Sequence, residues 1–165
     1  MLMVRFMLIK SQTLTYDFFI ATSIFFLILI AAFFLWYYKM EGIKEEREKA
    51  DLADILIYAS EIWFKEGYPI YWNTSNVLEI GLANENRINT TKVRMMEELG
   101  YQKLAYLLSL GTANVNYFVY SLNGTLLYSF PNYSMENAKD ILVLERVAIW
   151  NESIVKVKTV VWQKV

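Results

Sequence analysis

Residues 18–38 form an unbroken apolar run, from Phe18 through Leu27 to Tyr38, with no charged side chain. At about 1.5 Å rise per residue such a helix reaches roughly 30 Å, the hydrocarbon thickness of a bilayer. Trp36, Tyr37 and Tyr38 close the run as an aromatic belt, and Lys39 stands just outside it. The pattern predicts a transmembrane helix in contact with membrane lipid. Two other readings compete with it. A buried core helix seldom needs so long a charge-free run, and a cleaved secretory signal is normally shorter and followed by small residues, not Trp-Tyr-Tyr-Lys.

The polarity then changes. Residues 39–51 hold four basic and five acidic side chains and almost nothing apolar. From there Leu52, Ile55, Leu56, Ala59, Ile62 and Trp63 recur at helical spacing on one face. One helix is therefore expected over about 13–65, bounded by Gly67 and Pro69. Its charged and striped part, 39–66, is the extramembrane continuation, and the stripe packs on a domain formed by 67–165.

Within 67–165, residues 68–89 read as an irregular connector. Asn89 or Thr90 caps a helix over 91–99 that Gly100 stops, and a second short helix covers 101–110. The rest alternates as strands. Asn123-Gly124 joins 115–122 to 125–130, and Asn151-Glu152 joins 138–150 to 153–162. The expected fold class is α+β: a long N-terminal helix continuing onto a small domain with short helices and a four-stranded antiparallel sheet.

Composition narrows the chemistry. The 165 residues include no Cys and no His, and the formal net charge is -1. Thiol nucleophiles, Cys/His metal sites and imidazole acid–base chemistry are excluded together. No basic footprint points to nucleic acid. No catalytic constellation is visible, so the chain is not expected to be an enzyme, and no cofactor or metal is expected. Glu97-Glu98 reads as a surface pair. Trp63, Tyr68, Tyr71 and Trp72 gather near Gly67-Tyr-Pro, where packing is favoured over a sugar-stacking surface.

Asn-x-Ser/Thr occurs at Asn73, Asn89, Asn123, Asn132 and Asn151, all beyond the apolar run. Eleven Asn and eighteen Ser/Thr in 165 residues give about 1.2 chance matches. The excess predicts an N-glycosylated domain on the outer side of the cell membrane. Turn-rich Asn chemistry is the alternative source of the same pattern. Lysine and arginine counts on the two sides of the run do not choose an orientation; the sequons do.

The residues before the run read Ile9-Lys10-Ser11-Gln12-Thr13-Leu14-Thr15-Tyr16-Asp17-Phe18-Phe19. A base, a small residue and Gln, with an acid directly before the apolar segment, resemble the class III signal of archaeal type IV pilin-like proteins. The resemblance implies that a prepilin peptidase removes 1–11 by cutting between Ser11 and Gln12. The apolar helix 12–38 is then retained for assembly with other pilin-like subunits. It further implies that Asp17 pairs with the mature amino terminus of Gln12 in a neighbouring subunit. Asp17 as a simple helix-terminal acid in the headgroup layer is compatible with this. Gly67-Tyr-Pro69-Ile-Tyr-Trp72, Glu79-Ile-Gly-Leu82, Arg87-Ile-Asn-Thr-Thr-Lys92, Leu99-Gly-Tyr101 and Leu107-Leu108 are similar to a block recurring in uncharacterised archaeal class III signal proteins. The expected role is a structural, minor or accessory subunit of a pilus-like surface filament. The alternative is an anchored ectodomain that binds a partner without polymerising.

Overall fold

The computed structural model describes the backbone from Leu2 to Lys164 and the side chains of residues 16–163. The chain divides into two compact units, Met1–Arg47 and Glu48–Val165.

The first unit is helical throughout, as part of α1 (Leu2–Glu61). Every residue of 18–38 is exposed except Thr22, which is half-buried. The only hydroxyls within that stretch are answered inside the helix. Thr22 Oγ1 donates to the Phe18 carbonyl at 2.7 Å, and Ser23 Oγ donates to the Phe19 carbonyl at 2.8 Å. A helix in hydrocarbon requires such internal satisfaction, because no water is there to replace it.

The second unit begins with the last turns of α1. Leu52, Leu56 and Ala59 are buried there, and Ile62 and Trp63 follow just past the helix end. They pack in one core with Val115, Tyr117, Val119, Val155, Val157 and Val161 from the sheet. Spacing of three and four residues puts this stripe on one side of the helix, while Ile57 and Tyr58 stay exposed. Tyr117 is fully buried, and its hydroxyl donates to the Ala59 carbonyl at 3.1 Å.

The sheet has six strands in the order β1-β2-β5-β6-β3-β4, with β1 (Ala83–Asn84), β2 (Arg87–Ile88), β3 (Ala113–Ser121), β4 (Leu126–Phe130), β5 (Ala138–Trp150) and β6 (Ser153–Lys164). The four strands expected from alternation are present and pair antiparallel, with β6 lying between β5 and β3. The expectation of a four-stranded, wholly antiparallel sheet is corrected in two respects. The connector contributes β1 and β2, and β2 joins β5 in parallel through Ile88 and Trp150. Two-residue strands carry no periodicity to read. Their turn is closed by Glu85 and Asn86 with φ of 49° and 62°, which makes a tight left-handed turn without glycine.

Two short helices complete the unit. α2 (Thr90–Leu99) buries Val93 and Met96, and α3 (Tyr101–Leu107) buries Leu104. Asn89 caps α2, its Oδ1 accepting from the amides of Thr91 and Lys92 at 2.9 and 3.3 Å. The cap is the one the sequence offers, and α2 starts one residue earlier than expected.

Candidate functional site

Two regions hold the residues singled out by sequence: the apolar helix and the surface of the second unit. On the helix, Phe18, Leu27 and Tyr38 are 67%, 67% and 80% exposed. Exposure runs all around the cylinder, so no core within the described residues covers it. By length and composition this is a helix that can cross a membrane. Leu29, Ile30, Phe33, Phe34 and Tyr37 line a shallow apolar notch on its side. The Phe33 and Trp36 rings meet edge-on at 5.9 Å. Asp17 is exposed one residue before Phe18. The side chains of Lys10, Ser11 and Gln12 lie outside the described residues.

On the second unit the structure explains much of the motif block around Gly67-Tyr-Pro. The chain leaves α1, turns at Gly67 (φ 79°), and returns so that Gly81 lies against it. A Cβ on either glycine would strike the backbone of the other segment. Trp72 is buried, and its Nε1 donates to the Gly81 carbonyl at 2.9 Å. Tyr68 and Glu79 form an isolated antiparallel bridge. The amides of Leu82 and Ala83 then bond the carbonyls of Ile62 and Lys65, at 2.6 and 2.8 Å. The carbonyls left open where α1 ends are thus satisfied by the returning connector.

Lys92 completes this clamp, and nothing in the sequence pattern singled it out. It is 7% exposed, and its Nζ donates to the carbonyls of Glu66 at 2.6 Å and Ala83 at 3.0 Å. Burial lowers its pKa, and the nearby Glu66 carboxylate partly offsets that. An ammonium tied to main-chain carbonyls acts here as a staple between the end of α1 and the β1 turn. A lone lysine in a helical first turn gives no such signal in sequence.

The aromatic residues around Gly67 separate. Trp63 and Trp72 are buried at 1% and 2% exposure, whereas Tyr68 and Tyr71 are exposed. The two tryptophans therefore belong to packing, as expected. Trp63 meets Tyr117 and Tyr128 edge-on at 5.7 and 6.2 Å, and Tyr128 meets Trp150 at 5.9 Å. Burial raises the Tyr117 pKa well above the usual phenol range. The Tyr128 hydroxyl is buried without a hydrogen-bond partner, and burial, with the Glu97 carboxylate nearby, also drives its pKa up. Glu97 and Glu98 are exposed. Among the described residues, no three acidic side chains gather as a metal site.

Of the five sequon asparagines, four are exposed and Asn89 is half-buried. Asn73 Oδ1 accepts from the amides of Ser75 and Asn76. Asn123 Oδ1 accepts from the Ser121 hydroxyl and the Thr125 amide. Asn151 Oδ1 accepts from Thr90 Oγ1 at 3.1 Å, and that hydroxyl in turn accepts from Trp150 Nε1 at 3.0 Å. Through Thr90 the start of α2 therefore touches the β5–β6 turn, a proximity invisible in sequence.

No family model, no curated protein and no solved structure matches this chain. The functional reading consequently rests on the helix and on the surface of the second unit.

Proposed function

We propose that this chain is a structural subunit of a pilin-like assembly, held by residues 18–38 as a single-pass anchor, with residues 48–165 as its outward domain. The observation that carries the reading is the all-round exposure of an uncharged helix whose polar groups are already satisfied internally. Such a surface needs a cover of lipid or of other apolar helices. The Lys10-Ser11-Gln12 sequence and Asp17 favour the second cover after processing. A prepilin peptidase cuts between Ser11 and Gln12, and the helix passes from bilayer to a bundle of like helices. In that bundle the notch at Phe33, Phe34 and Tyr37 receives a neighbour, and Asp17 pairs with a neighbouring Gln12 amine. A carboxylate at the edge of hydrocarbon is costly alone, and a partnered one is not.

The direct test is mass spectrometry of the N-terminal peptide in protein taken from native membranes, together with the size of the native particle. A peptide starting at Gln12 in an extended oligomer is the expected result. An intact leader on dispersed monomers would refute assembly and leave an anchored, partner-binding ectodomain in its place. Asp17→Asn is expected to leave membrane retention intact and to lower the assembled fraction about tenfold, the scale of one unpaired carboxylate (~1.4 kcal/mol).

A further inference from the structure

The strand register places three of the five sequons at one end of the sheet. Ser121, Val155 and Ala148 lie in one row across β3, β6 and β5. The Asn123 turn begins two residues beyond Ser121, and the Asn151 turn lies two to three residues beyond Val155 and Ala148 on the same side. Two strand spacings separate the turns, roughly 10 Å. The hydrogen bond from Thr90 to Asn151 brings Asn89 to the same end. The opposite end holds the Ala113–Gln163 and Ala138–Lys164 pairs and the contact of Lys139 with Glu48.

Turn and cap chemistry explains the asparagines here but not the residues that follow them. Asn89, Asn123 and Asn151 each use Oδ1 to hold local backbone or a neighbouring hydroxyl. No described hydrogen bond uses their Nδ2 atoms, and none uses the hydroxyls of Thr91, Thr125 or Ser153. A fold-only account therefore leaves three hydroxyls, each two residues after an asparagine, without a task. The same end is also unusually apolar at its surface. Leu122 is 60%, Leu126 50% and Ile154 54% exposed, with Ile149 beside them. Clustered exposed apolar side chains call for a cover.

We infer that Asn89, Asn123 and Asn151 form an N-glycosylation cluster whose oligosaccharides cover the apolar turn end of the sheet. The inference rests on the outward placement of residues 48–165 proposed above. The donor is a sugar linked through phosphate to a membrane lipid, and a membrane transferase brings it to the asparagine. The amide Nδ2 forms a bond to the anomeric carbon, and the bond from that carbon to the phosphate oxygen breaks. The phosphate leaves with the electron pair, and Nδ2 gives up one proton to a base on the transferase. Because Oδ1 already holds the turn, the modification adds mass at Nδ2 without dismantling the hydrogen bonds beneath it.

The test uses the full chain from its native membranes, mapped by peptide mass spectrometry. Glycan increments are expected on the peptides carrying Asn89, Asn123 and Asn151. Thr91→Ala, Thr125→Ala and Ser153→Ala each remove one increment while leaving the Oδ1 bonds and the melting temperature unchanged. The triple variant is expected to self-associate through the uncovered end. Unmodified asparagines at all three positions overturn the inference. If the outer face of the domain is nonetheless labelled by a membrane-impermeant reagent, only the inference fails and the outward reading stands. If labelling finds the domain inside, both fail. Glycan at the three sites with an intact leader leaves the inference standing and removes the assembly reading. A second copy of the chain as the cover, seen as self-association of an unglycosylated wild type, overturns it too.

Discussion

Two stretches of α1, residues 18–38 and residues 52–61, are both rich in large apolar side chains, and they differ in how those side chains are arranged. In the later stretch they return every three or four residues, and Leu52, Leu56 and Ala59 disappear into the core beside Tyr117 and Val157. In the earlier stretch they occur at nearly every position, and all of them remain exposed. A stripe has one neighbour, which the chain supplies itself. A fully apolar cylinder has neighbours on all sides, and a chain of this length cannot supply them. The comparison teaches that periodicity, more than hydrophobicity, tells whether a helix is covered from within or from without.

The largest expected effect lies in the stripe. Trp63→Ala should destabilise the second unit by about 3–5 kcal/mol, read as a drop in the denaturant midpoint of the full chain in detergent. Phe25→Ala, an equally large truncation in the exposed stretch, should leave that midpoint unchanged. Equal losses at the two sites would break the comparison. Leu27→Arg reverses the pattern. It should cost about 3 kcal/mol of membrane insertion, seen as protein shifting to the soluble fraction, while the second unit melts as before.

A smaller effect sharpens the account of the core. Tyr117, Tyr101 and Tyr128 all have pKa values raised by burial. A phenol that stays neutral when folded but ionises near its model value of 10.0 when unfolded stabilises the fold fully below that pH. Stability should therefore fall as pH climbs above 10, by up to about 1.4 kcal/mol per pH unit for each such tyrosine. Lys92, with its lowered pKa, works the other way as pH approaches the model value of 10.5. Tyr117→Phe should shallow the alkaline fall and cost about 1 kcal/mol at neutral pH through the lost bond to Ala59. An unchanged alkaline slope would mean that Tyr117 does not titrate differently on unfolding. The smallest effect is at the α2 cap, where Asn89→Ala should cost about 1 kcal/mol.

Much of this fold was legible in the sequence because its signals are local. The apolar run, the stripe after it, the Asn89 cap and the two turns at Asn123-Gly124 and Asn151-Glu152 each announce themselves within a few residues. What escaped depends on meetings between distant segments. The β1–β2 turn is too short for a period and is closed by Glu85 and Asn86 in place of glycine. The parallel pairing of Ile88 with Trp150 joins residues sixty-two apart. Gly67 and Gly81 mark the motif block in sequence, but that they lie against each other appears only in three dimensions. Lys92 looked like a solvated helix residue and is a buried staple. The sequons were counted correctly, yet their gathering at one end of the sheet is a product of the register.

The helix at residues 18–38 invites one decisive measurement, because the chain contains no cysteine to interfere. Leu27→Cys and Tyr106→Cys, made separately in the full chain, are exposed in native membranes to a membrane-impermeant maleimide applied from outside. Tyr106 is 82% exposed on α3, and Leu27 is 67% exposed on α1. A single-pass anchor with an outward domain predicts rapid labelling at position 106 and none at 27 until detergent is added. Rapid labelling at 27 in intact membranes would contradict it.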